Sequence, residues 1–156
     1  MREIKMNKNK NVYYIYLLTV FFITLSGFGQ MPIFKRYYIA DMPGLGWLAK
    51  FYITHYIHYI CAALIIGITS YVAADYLLLS GKKLKLTVTG YLRGALIIGL
   101  IATGSLLVIK NFEGYVFSHN LIIFLDLSHL TLMMLFLLTS LYCFVFKKKW
   151  TAGSEK

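Results

Sequence analysis

The chain is poor in what a soluble surface needs. Only 14% of its 156 residues are charged and 6 are acidic, whereas an average soluble domain carries roughly 25% charged residues. It has 2 prolines, Pro32 and Pro43, both in one connection, and 2 cysteines, Cys61 and Cys143. Those cysteines are expected at different depths of their helices, too far apart to bridge, and read as small apolar fillers. Long polar segments are missing as well. Even a small independent domain needs about 50 residues, so no soluble catalytic domain fits and a lone soluble enzyme is excluded. There is no internal repeat and no low-complexity tract.

What is present is apolar, with 59% hydrophobic and 17% aromatic residues. The apolar residues fall into four blocks, at about 12–30, 51–80, 88–109 and 121–146. Crossing roughly 30 Å of hydrocarbon takes about 20 residues at 1.5 Å each, which every block can supply or nearly so. The expected fold is all-α, a four-helix transmembrane bundle forming one integral-membrane domain over 1–156. A basic start before an apolar block also describes a secretory signal, but no small-x-small cleavage site follows it, so the first block reads as a retained helix.

A net charge of +10 from 16 Lys and Arg could indicate nucleic acid, yet these residues sit at helix ends rather than across a soluble face. Arg2, Lys5, Lys8 and Lys10 precede the first span, Lys82, Lys83, Lys85 and Arg93 flank the middle connection, and Lys147, Lys148, Lys149 and Lys156 follow the fourth. The other side has Lys35, Arg36, Lys50 and Lys110. By the positive-inside rule both termini are expected in the cytoplasm, in a multi-pass protein of the inner membrane with no nucleic-acid partner. The run Pro43-Gly44-Leu45-Gly46-Trp47 reads as a turn-rich outer cap, and the 13 tyrosines as aromatic belts.

Ionisable residues within spans are costly enough to be functional candidates. His55 and His58 lie early in the second helix, His119 and His129 at the start and in the first half of the fourth, with none in the first or third. A haem b between helices takes two neutral imidazoles from opposite faces. His58 lies about 36 Å along its helix from Lys82 and His129 about 27 Å from Lys147 by helical rise, a mismatch that tilt absorbs. They are the best-matched pair of metal ligands; their bland alternative is a pair of interhelical hydrogen-bond residues. His55, one turn nearer the surface, reads equally as a ligand or as an interfacial hydrogen-bonding residue, and His119 as a solvated helix start. Gly27 and Gly104, beside Ser26 and Thr103, would let a macrocycle edge approach the backbone, or serve plain helix contacts. Asp126, three residues before His129, is expected to face the bundle interior, orienting a histidine, handling a quinone's proton or bonding another helix.

In this order the residues resemble the four-helix cytochrome b subunits of membrane-bound formate dehydrogenase, nickel-iron hydrogenase and thiosulfate reductase. The resemblance runs through Leu25-Ser26-Gly27, Pro43-Gly44-Leu45-Gly46-Trp47-Leu48, Ile57-His58-Tyr59, Thr103-Gly104 and His129. It implies a subunit carrying electrons through haem b between an iron-sulfur or multihaem partner and quinone, menaquinone included, with His58 and His129 at the outer-haem positions. The family's inner haem needs a first-helix histidine and another four turns beyond His129, where this chain has Cys143. One haem b is therefore expected.

The expected function is a membrane-anchor electron-transfer subunit that does no bond chemistry itself, with Lys35, Arg36 and Lys50 available to haem propionates or to the partner. The alternative is a haem-free membrane anchor or assembly subunit. A proton carrier using Asp126 and His129 is disfavoured, because no second buried acid stands at that depth.

Overall fold

The computed structural model of the chain describes residues 10–31, 38–80 and 84–153. Arg2, Lys5, Lys8, Pro32, Lys35, Arg36, Lys82, Lys83 and Lys156, invoked above for topology, turns or propionate pairing, lie outside those residues.

The chain is all-α in character, built on α1 (Lys10–Gly29), α2 (Phe51–Asp75), α3 (Val88–Ile109) and α4 (His119–Val145). The ends agree with the sequence reading to within two residues, except that the last turn of the second block, Tyr76–Ser80, is wound as π-helix. All four helices are long and apolar enough to cross a membrane. With both prolines outside them, each backbone closes its hydrogen bonds internally, as a lipid environment requires. Their apolar residues are not confined to one face. Phe21, Leu64, Ile98 and Leu138 are exposed, a surface suited to hydrocarbon rather than water.

The contacts gather into two compact units, Met1–Gly81 and Lys82–Lys156. In the first unit α1 and α2 pack antiparallel, so that the end of α1 meets the start of α2. The outer cap expected at Pro43–Trp47 folds as two 3-10 turns, Ile39–Asp41 and Gly46–Ala49. The second turn drives Leu48, 1% exposed, against Gly29. A Cβ on Gly29 would come within 2.9 Å of Leu48 Cδ2, so glycine is what lets the cap close.

The second unit pairs α3 and α4 in the same antiparallel sense. Both helices start on side-chain caps: Thr87 Oγ1 accepts from the Gly90 N–H at 3.0 Å and Ser118 Oγ from that of Leu121 at 3.4 Å. Beyond α4 the chain folds back to form a short antiparallel ribbon, β1 (Leu84–Leu86) with β2 (Thr151–Gly153). The Thr87 N–H donates to the Trp150 carbonyl at 3.0 Å, and its hydroxyl to that of Lys149 at 2.8 Å. Arg93, counted above as one of the cations at helix ends, is buried in this unit. Its guanidinium lies 4.1 Å over the Trp150 ring and donates to the Lys148 carbonyl. A Cβ on Gly90 would run into the Trp150 carbonyl.

Candidate functional site

Each unit places one of the two ligand-candidate histidines against its neighbouring helix. His58 Nδ1 lies 3.1 Å from the Ile23 carbonyl and 3.2 Å from Ser26 Oγ, both on α1. A carbonyl only accepts, so Nδ1 carries the proton. Ser26 Oγ in turn donates to the Ile23 carbonyl at 3.1 Å, which leaves its lone pairs for the imidazole. His129 Nδ1 lies 2.8 Å from Thr103 Oγ1 on α3. The Thr103 hydroxyl also lies 2.8 Å from the Gly99 carbonyl; with its proton on that carbonyl, Thr103 accepts from His129, and with its proton on the imidazole it donates. The carbonyl sets the proton of His58 on Nδ1, and the same setting at His129, with Thr103 accepting, would leave Nε2 as the ligating nitrogen of each ring. That is the tautomer an imidazole uses to ligate through Nε2, with Nδ1–H held by an acceptor.

The surroundings recur with the hydrogen bond. The residue after each hydroxyl is glycine, and a Cβ there would stand 3.2 Å from His58 Cε1 at Gly27 and 3.2 Å from His129 Cε1 at Gly104. The sequence reading gave these glycines either to a macrocycle edge or to plain helix contacts, and the structure seats the imidazoles of the neighbouring helices on them. Ser26 lies three residues before the end of α1 and Thr103 six before the end of α3. His58 stands seven residues after the first of α2 and His129 ten after the first of α4. Both partners shift by the same three residues, about 4.5 Å of helical rise, so the second unit repeats the arrangement of the first one step deeper. Connections of unequal length conceal this repeat in the sequence.

His55 is placed differently. Its Nδ1 lies 3.3 Å from Gln30 Oε1, and its ring is flanked by Phe51 at 5.0 Å and Tyr59 at 4.3 Å between centroids. Gln30 Nε2 is buried without a hydrogen-bond partner among the described residues. His119 is exposed as the first residue of α4.

Asp126 follows the alternative in which it bonds the neighbouring helix rather than a histidine. It is 56% exposed and pairs with Lys110 at 3.6 Å, the cation at the end of α3. The group that orients His129 at Nδ1 is Thr103. The pair joins the end of α3 to a position about two turns into α4, whereas a lone carboxylate would need a buried donor. Cys61 and Cys143 are buried free thiols, as read from the sequence.

The hydroxyl partners Ser26 and Thr103 were visible in the sequence only as small residues. A hydroxyl directly before a glycine, on the helix preceding each histidine, is the signal that identifies them. Among the described residues no three His, Cys, Asp or Glu side chains gather around a possible bare-ion site. Comparison with protein-family models, curated proteins and solved structures finds no match to the chain.

Proposed function

We propose that the chain is a membrane-anchor cytochrome b subunit, carrying electrons through one haem b between a partner oxidoreductase and the quinone pool of the inner membrane. The observation that carries this reading is the matched placement of His58 and His129. Each holds Nδ1 against a hydroxyl of the neighbouring helix, on the second helix of its hairpin, beside a glycine that brings the ring close to the backbone. The donor set suits a haem, which His58 and His129 would hold through their imidazole nitrogens. When bound, the haem supplies reversible one-electron chemistry.

The chain's own residues would hold and tune that group. His58 and His129 provide the ligands, while Ser26, the Ile23 carbonyl and Thr103 fix the rings and raise their basicity through Nδ1–H. The apolar helices supply a low dielectric. Lys50, with Lys35 and Arg36, offers cations to propionates or to an iron-sulfur or multihaem partner. The order of motifs resembling the respiratory cytochrome b subunits supports the same assignment, as does the excess of basic residues that argues for cytoplasmic termini.

The test is a reduced-minus-oxidised spectrum of the purified full chain with a haem count. A b-type band at one haem per chain is expected, and it should disappear in His58→Ala and in His129→Ala. No band in the wild-type protein overturns the reading, and two haems per chain overturn the single-haem assignment.

One observation favours the alternative of a haem-free anchor or assembly subunit. Each histidine already closes a hydrogen bond between paired helices, a role membrane helices give to polar residues without any cofactor. The same spectrum separates the two.

A further inference from the structure

We propose that the turn after α4, Phe146–Trp150, with Lys85 on the adjoining strand, is a binding site for the phosphate headgroup of an anionic phospholipid. The first argument is depth. At 1.5 Å per residue the 27 residues of α4 extend about 40 Å, the thickness of a bilayer with its headgroups. Lys147, Lys148 and Lys149 follow at once, and all three are exposed.

The second argument is order. Lys147 takes a left-handed backbone conformation, φ 50°, which stops the helix. The Lys148 N–H donates back to the Cys143 carbonyl at 2.9 Å. The carbonyls of Lys148, Lys149 and Trp150 accept from Arg93 and Thr87, and Arg93 stacks on the Trp150 ring. The ammonium groups therefore spring from a fixed loop, where a loose basic tail would give only diffuse attraction.

The third argument is complementarity. The acidic residues among the described part of this unit, Glu113 and Asp126, lie toward its opposite end, on the 110–118 turn and in the first half of α4. Just before the lysines, Leu141, Phe144, Val145 and Phe146 are exposed, Phe144 at 78%. Cations beside exposed apolar side chains suit a molecule with a phosphate at one end and acyl chains at the other. Inorganic phosphate has only the first.

The test uses the detergent-purified full chain. Native mass spectrometry should find phosphatidylglycerol retained in preference to phosphatidylcholine, and in melting curves the first lipid should raise Tm more than the second. In Lys147→Gln/Lys148→Gln/Lys149→Gln the preference should fall, by roughly fivefold per lysine at low salt, while Lys110→Gln, at the other end, keeps it. Mass spectrometry of the wild type reads the preference whether or not the variant folds. Equal retention of the two lipids, an unchanged preference in a folded triple variant, an equal loss in Lys110→Gln, or the same rise in Tm with inorganic phosphate would each overturn the proposal.

Discussion

Ser26 and Thr103 hold their histidines unequally. His58 Nδ1–H has two acceptors, the Ile23 carbonyl at 3.1 Å and Ser26 Oγ at 3.2 Å, whereas His129 has Thr103 Oγ1 at 2.8 Å. Ser26→Ala therefore leaves His58 a carbonyl to donate to, and Thr103→Val, close in shape, removes the hydroxyl that bonds His129. Thr103→Val is expected to destabilise the protein by about 1 kcal/mol, a typical loss for a hydrogen bond between helices or at a buried group. Ser26→Ala should cost less, as melting curves in detergent would measure. In haem-bound protein Thr103→Val should also raise the midpoint potential, because an imidazole without its acceptor donates less charge to iron. A redox titration unchanged in Thr103→Val would argue against His129 as a ligand. The histidines were legible in the sequence because ionisable groups are rare inside apolar blocks. Their hydroxyl partners were not, because Ser and Thr are common in membrane helices and nothing local says which imidazole they meet.

At the scale of elements, the helices and the ribbon behave oppositely. α1 to α4 follow from length and apolar content, so their ends fell within two residues of the sequence reading apart from the π-wound turn after α2. The ribbon joins Leu84–Leu86 to Thr151–Gly153 across two intervening helices, and three-residue strands carry no periodic signal. Its anchorage turns on Gly90, where an added Cβ meets the backbone of Trp150 rather than a mobile side chain. Gly90→Ala should force the strap off α3 and cost about 1–3 kcal/mol, as overpacking does. Gly94→Ala, four residues on and with nothing near its Cβ, should be tolerated. Paired melting curves check this, and a proteolytic cut within 147–153 should be faster in Gly90→Ala alone.

For the whole molecule, the uneven distribution of cations predicts its orientation. Twelve of the 16 Lys and Arg flank the ends assigned to one side, so a fluorescent protein that matures only in the cytoplasm should be bright when fused at the C-terminus. A periplasm-dependent alkaline phosphatase at the same place should be inactive; an active one would reverse the assignment. The sequence by itself determined four membrane-length helices and the rarity of their polar residues, because hydrophobic burial in a bilayer depends on composition along a continuous stretch. Tertiary structure decided which side chains meet. It set the glycines against imidazoles, Asp126 against Lys110 and Arg93 against Trp150. Each of these depends on the register between helices or strands distant in sequence, and composition along one stretch does not specify that register.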